Sequence, residues 1–307
     1  MTRVAAIDCG TNSVRLLIAD VQPDGSLVDV TRQMRIVRLG QGVDRTGRLA
    51  EEAIERTRVA LVHYAAEIAA AGVDHARMVA TSASRDASNA DDFRAMVTAT
   101  LGFAPEVVSG DEEARLTFAG AVQGLQAKPP FLVFDIGGGS TEFVVGTTAG
   151  VEAAISVDIG CVRLTERHLH DHPPTPAQIL AAEKDIIGAV DRALAAVDAG
   201  RASTFVGLAG SVTTVTALAL GLTEYVPEHI HRARVSTADV AKVTADLLAA
   251  TPEQRLENAV MHPGRADVIG AGALILRIIL ERAGAEAVVA SESDILDGVA
   301  MSCLRQS

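Results

Sequence analysis

Asp135 ends an apolar run that begins at Phe131; after Ile136 come Gly137, Gly138 and Gly139, the hydroxyls Ser140 and Thr141, then Glu142 and a second apolar run from Phe143. The pattern reads as strand, tight turn, strand. Glycines let the backbone approach a ligand with no Cβ in the way. Successive N–H groups in such a turn form a concavity suited to an anion. Asp135, at the end of a buried strand, suits a divalent cation better than a phosphate. A plain hairpin is the alternative, but it leaves two acids bracketing a turn that carries no other charge.

The stretch Val4–Asp20 repeats this pattern, and setting Asp8 on Asp135 also sets Gly10 on Gly137 and Ser13 on Ser140. Two related halves follow. Gly10, Thr11, Asn12 and Ser13 become a second anion turn, and Asp8 takes the metal position that Asp135 holds in the other half. Gly210 and Ser211 open a third candidate, at a strand-to-helix junction where unpaired N–H groups favour phosphate; the alternative there is an N-cap serine after a close-packed glycine. Arg85, just past a strand end in a Ser/Asn-rich loop, could grip phosphate oxygens with both prongs of its guanidinium. Glu113 lies in the first turn of a helix, where a carboxylate offsets the helix dipole or acts as a general base toward water. Glu142 could share that task or position the water.

The elements that must carry these groups alternate. In the first half the pattern predicts a strand over 4–7, a second that includes 16–18, and strands over 28–39, 77–81 and 106–109. Helices are expected over 50–71, 90–101 and 110–125, and 82–89 reads as a polar loop. In the second half, strands are expected over 131–135, 141–147, 151–157, 204–208 and 287–290, with helices between and a closing helix over 295–304. Antiparallel strands followed by strand–helix alternation give an α/β fold in each half. With 307 residues, two domains of ordinary size are expected, 1–125 and 126–294. A net charge of −12 argues against nucleic acid or an anionic membrane surface as the main partner. No stretch is long and apolar enough for a membrane span, and no signal peptide precedes the first strand. Three well-separated cysteines, Cys9, Cys161 and Cys303, suggest a reduced, cytoplasmic chain.

Taken together, the segments 8–15, 81–87, 109–114, 135–142, 210–213 and 265–269 resemble the exopolyphosphatase/guanosine pentaphosphatase (Ppx/GppA) family, of the actin-like phosphotransferase superfamily, over nearly the whole chain. The resemblance implies two duplicated actin-like (ribonuclease H-like) domains with their turns facing across an interdomain cleft. The closing helix, to about residue 307, would pack back on the first domain, and the protein would be a homodimer. It implies release of terminal orthophosphate from a phosphoanhydride chain with Mg²⁺. Glu113 matches the family's catalytic glutamate, Asp135 the metal-linked aspartate and Glu142 the second acid near the water. Asn12, Ser13, Arg85, Gly138, Gly139, Ser140, Gly210 and Ser211 match phosphate-contacting positions. The short form implies a preference for short polyphosphate, and the sequence leaves inorganic polyphosphate and guanosine pentaphosphate (pppGpp) both open. The acidic stretch Ser291–Asp297 stands where the family often carries an arginine.

Four rival readings compete with this one. A kinase of the same superfamily must exclude water, which Glu113 argues against. A non-catalytic polyphosphate or alarmone sensor would not need a base. Cys9 and Arg15 have the spacing of cysteine-dependent phosphatases, but Asp8 beside Cys9 opposes a thiolate; His168, His170, His172, His229 and His231 read as solvated loop histidines rather than metal ligands. Cys9→Ser is therefore expected to keep turnover nearly intact in a phosphate-release assay, and complete loss of activity would overturn that choice.

Overall fold

The computed structural model describes residues 2–306, with side chains through residue 304. Met1 and Ser307, part of the expected first domain and closing helix, lie outside the described residues. The chain divides into two compact units, Met1–Gly120 with Asp294–Ser307, and Ala121–Ser293.

The first unit runs β1 (Thr2–Cys9), β2 (Ser13–Val21), β3 (Leu27–Ile36), α1 (Val43–Thr46), α2 (Glu51–Ala71), β4 (His75–Ala80), α3 (Ser82–Asp86), α4 (Ala90–Leu101), β5 (Glu106–Val107) and α5 (Gly110–Val122). Its sheet has the order β3-β2-β1-β4-β5, with β1–β2–β3 antiparallel and β4 and β5 parallel to β1. β1 is apolar on both faces because both are covered. Ala5 and Ile7 face α2 and α4, in a cluster with Leu61, Tyr64, Phe93 and Val97. Val4 and Ala6 face the returning C-terminal helix.

The second unit repeats the plan with β6 (Phe131–Ile136), β7 (Thr141–Thr147), β8 (Gly150–Val157), α6 (Cys161–His168), α7 (Pro176–Ala196), β9 (Thr204–Leu208), α8 (Ala209–Ala219), α9 (Pro227–Ile230), β10 (Arg234–Ser236), α10 (Thr237–Ala249), α11 (Pro252–Arg255), α12 (Ile269–Ala283) and β11 (Ala287–Ala290). Its sheet order is β10-β11-β9-β6-β7-β8. Read from β8 to β11, the order and directions match the first unit, and β10 adds an edge. Both units therefore have the actin-like, ribonuclease H-like arrangement. α12 is buried along almost its whole length and forms the spine of this core.

α13 (Ile295–Ser302) returns to the first unit, where Ile295, Leu296, Val299, Ala300 and Cys303 pack on Val4, Ala6, Leu17, Ala19 and Val79. The acidic stretch before it caps and anchors this helix. Asp294 closes a capping box with Asp297 and is ion-paired with Arg15. Asp297 accepts from Arg32 at 2.8 Å. Burial pushes the Asp297 carboxyl up, while Arg32 opposes that shift.

Several local expectations change. Residues 82–86, expected as loop, form α3, so Arg85 sits on a helical turn. The expected strand 106–109 is only two residues long, and β10 and three single-turn helices carry no periodic signal in the sequence. Among the described residues no helix is long and apolar enough to cross a membrane.

α5 and α13 cross on bare backbone. A Cβ at Gly298 would stand 2.0 Å from the Leu116 carbonyl oxygen, and one at Gly120 would stand 1.9 Å from that of Asp294. Backbone cannot swing aside as a side chain can. Gly298→Ala is expected to destabilise the protein by about 1–3 kcal/mol, read as a lower urea midpoint with an unchanged slope.

Candidate functional site

In the first unit, Gly10 N–H donates to Ser13 O at 2.9 Å and closes the turn between β1 and β2. The loop after β3 then holds the turn's carbonyls. Val37 and Arg38 donate from backbone to Asn12 O at 3.0 and 2.8 Å, and Gly40 donates to Thr11 O at 2.8 Å. The buried Thr11 hydroxyl lies 3.1 Å from that of Ser82, which starts α3. Arg85, one turn along α3, donates Nη1 to Glu113 Oε2 at 2.8 Å and to Val108 O at 2.9 Å. Its Nη2 and Nε have no protein partner among the described residues. Glu113 is 8% exposed, in the first turn of α5, where the Ser109 hydroxyl accepts from Glu112 N–H. A chain of contacts thus joins turn, arginine and glutamate within this unit. The sequence pointed to each of the three groups but gave no sign of the Arg85–Glu113 ion pair.

Asp8 spends Oδ2 on Arg15, at 2.7 Å from Nη2. Burial pushes its carboxyl up, Arg15 opposes this and Asp294 adds to it. Cys9 is buried within β1, and burial first, then Asp8, pushes its thiol well above the ordinary range. A nucleophilic thiolate there is excluded on physical grounds.

In the second unit, the matching bond from Gly137 N–H to Ser140 O is 3.0 Å. The start of α6 holds this turn from one side. Cys161 N–H donates to Gly137 O at 3.0 Å, and Val162 and Arg163 N–H donate to Gly138 O at 2.9 and 3.1 Å. Arg163 Nε donates to Gly139 O at 2.6 Å. Glu142, 1% exposed, accepts at Oε1 from the hydroxyls of Ser140 (2.8 Å) and Ser156 (2.7 Å). Each hydroxyl has one proton to give, so Ser140 offers a ligand its backbone N–H and its oxygen lone pairs.

The third candidate adjoins α6. Gly210 is covered by the Arg265 guanidinium, whose Nη2 would stand 2.0 Å from a Cβ there, and Arg265 Nη1 donates to Thr214 Oγ1 at 2.8 Å. Ala209, at the strand-to-helix junction, holds a φ of 66°, a strained value for a residue with a Cβ. Ser211 is not an N-cap; its hydroxyl lies against Gly272 of α12, beside Cys161. Any phosphate contact at Ser211 therefore falls to its N–H. Farther out, the Tyr225 hydroxyl donates to Glu292 at 2.6 Å, and burial, then Glu292, pushes that phenol up. His168, expected in solvent, sits 2.9 Å from Asp185 Oδ2.

Asp135 and Glu142 face each other across β6 and β7 in register. Like charges directly opposite are unfavourable unless something offsets them. The Ser140 and Ser156 hydroxyls do so for Glu142. Among the described residues no cluster of three or more His, Cys, Asp or Glu could cage a metal ion.

The Ppx/GppA phosphatase family model matches residues 17–307, and the chain belongs to that family. It is 52% identical to exopolyphosphatase 2 of Mycobacterium tuberculosis over 315 aligned positions, 98% of each chain. Among solved structures it matches an exopolyphosphatase-like protein at 43% identity, TM-score 0.95, over 99% of both chains. The Aquifex aeolicus family member matches at 32% identity, TM-score 0.82, over 99% of this chain and 98% of that one.

Arg163, Ser156 and the role of Arg265 were not read from the sequence. A hairpin turning at residues 148–149 would set Ile155 opposite Glu142; a bulge between Val145 and Gly146 shifts the register by one and brings Ser156 there, and the sequence carries no signal of it. Because Ser156 donates to a buried carboxylate, Ser156→Ala is expected to lower stability by about 1–3 kcal/mol, measured by denaturant unfolding.

Proposed function

We propose that the protein is an exopolyphosphatase that releases terminal orthophosphate from inorganic polyphosphate, with short chains preferred. The supporting observation is the Arg85–Glu113 pair at 2.8 Å. One guanidinium orients a carboxylate and keeps Nη2 and Nε for phosphoryl oxygens. Glu113 takes the proton from an attacking water, the step a kinase has to prevent. Within the second unit, the amides of the Gly137–Ser140 turn and the N-terminus of α8 at Gly210 and Ser211 suit phosphate oxygens; within the first, those of Gly10–Ser13 do. Glu142, saturated at Oε1, positions Ser140.

Mg²⁺ would be held by Asp135 together with substrate phosphate, and when bound it supplies charge neutralisation on the phosphoanhydride. Asp8 is the weaker candidate ligand, because Arg15 already balances its charge. From family membership alone, a homodimer and a cytoplasmic setting are proposed with this reading. The name of the Mycobacterium tuberculosis relative favours polyphosphate over pppGpp, which ends in the same phosphoanhydride.

The test compares phosphate release from short polyphosphate, long polyphosphate and pppGpp at one Mg²⁺ concentration. Short polyphosphate is expected to turn over fastest. Inertness toward all three defeats the hydrolase reading. Glu113→Gln is expected to cut turnover by about 10²–10⁴-fold and to keep tripolyphosphate binding. Chelation by EDTA should abolish release, with recovery on adding Mg²⁺; full activity in EDTA would remove the metal from the scheme.

A further inference from the structure

We propose that Arg163 is a positioning residue that aims the backbone amides of the Gly137–Ser140 turn at phosphate, by holding the turn's carbonyls from behind. The inference rests on the reading of that turn as a phosphate cradle and names what gives the cradle its shape.

A trans peptide sets its C=O and N–H on opposite sides. Three consecutive peptides of the turn have their carbonyls bound on one side, all by the start of α6. Gly137 O accepts from Cys161 N–H, Gly138 O from Val162 and Arg163 N–H, and Gly139 O from Arg163 Nε at 2.6 Å. The N–H groups of those same peptides belong to Gly138, Gly139 and Ser140, and they are turned to the other side. No protein acceptor is paired with these three amides among the described residues. Two of the three peptides are held by backbone alone. The third, which carries the Ser140 amide, is held by a side chain.

That side chain carries a charge in an unfavourable place. A cation in the first turn of a helix opposes the helix dipole. In return Arg163 makes a charge-assisted hydrogen bond to Gly139 O, stronger than a neutral one, and it polarises the peptide so that the Ser140 N–H becomes a better donor. Gly160 allows the approach. A Cβ there would stand 2.4 Å from the Gly138 carbonyl and 2.6 Å from Gly139 N.

In the first unit, backbone N–H groups hold the two corresponding carbonyls, Thr11 O from Gly40 and Asn12 O from Val37 and Arg38.

The test titrates tripolyphosphate into protein labelled with ¹⁵N glycine and ¹⁵N serine, all variants carrying Glu113→Gln to prevent turnover. With Arg163 intact, the Gly138, Gly139 and Ser140 amides are expected to shift together. Arg163→Met keeps the length of the side chain but not the donor. It should reduce the Ser140 shift selectively and weaken binding roughly tenfold, the worth of one charge-assisted hydrogen bond. Arg163→Lys should restore part of both. Gly138 and Gly139 should respond as before, which separates positioning from general loss of structure. If Ser140 in Arg163→Met responds as with Arg163 intact, or if Lys and Met are equally impaired, the proposal is overturned while the cradle stands. If none of the three amides responds with Arg163 intact, cradle and proposal fall together.

Discussion

A hairpin turn of three glycines and a serine has one short side chain to give it shape, and the rest of this protein's candidate chemistry depends on that shape. The shape comes from hydrogen bonds to its carbonyls. Glycine loses more freedom than any other residue when ordered, so the ordering contacts must be many, and they are short and consecutive. The same logic operates twice. The strand that ends in Asp8 and the strand that ends in Asp135 lead into turns closed by equivalent bonds, and in each unit the segment after the third strand ties down the carbonyls of the turn. In one unit that segment is the loop at Val37–Gly40, in the other the start of α6. The duplication thus extends past the motif itself to its support, which differs in sequence and secondary structure but binds the corresponding carbonyls of Thr11 and Gly138 and of Asn12 and Gly139.

Charge is distributed to match. The chain carries a net charge of −12, yet the arginines near the candidate site are individually anchored. Arg85 is held by Glu113 and a carbonyl, Arg163 by a carbonyl, and Arg265 by Thr214 above Gly210. Anchoring lowers the entropy lost when a polyanion is gripped. The acids that seemed out of place in the last segment serve stability: Asp294 and Asp297 receive Arg15 and Arg32 and cap α13. A cation from that segment is not needed to explain it, because its role is to attach a C-terminal helix to the first sheet.

The motif residues were legible in the sequence because each departs from a simple rule: a carboxylate at the end of an apolar strand, glycines in a run, a serine where a helix starts. The α/β class of each half followed from alternation and duplication; the strand order came only with the structure. Other features were illegible for physical reasons. α3 is five residues long and lacks a periodic face, so Arg85 appeared to sit in a loop. The pairing of Arg85 with Glu113 joins residues far apart in sequence, and spacing carries no information about it. Arg163 looked like an ordinary helical cation, since nothing in a sequence shows which carbonyl a guanidinium reaches. The Ser211 hydroxyl, the N-cap of the alternative reading, turns toward Gly272 because a small residue on α12 leaves it room.

The two buried glutamates show how partners, more than residue type, divide the work. Both carboxylates are nearly excluded from solvent and both lie beside a candidate anion turn. Glu142 is enclosed by hydroxyl donors from its own hairpin and its neighbouring strand. Its effect passes through Ser140, whose only proton it takes. Glu113 is held by a guanidinium, which cannot give up its proton at any ordinary pH and so cannot compete for the role of acid. It also sits at a helix start, the more open of the two positions. A base must be fixed in place and still reachable by water. Of the two, Glu113 meets both conditions, and Glu142 meets only the first.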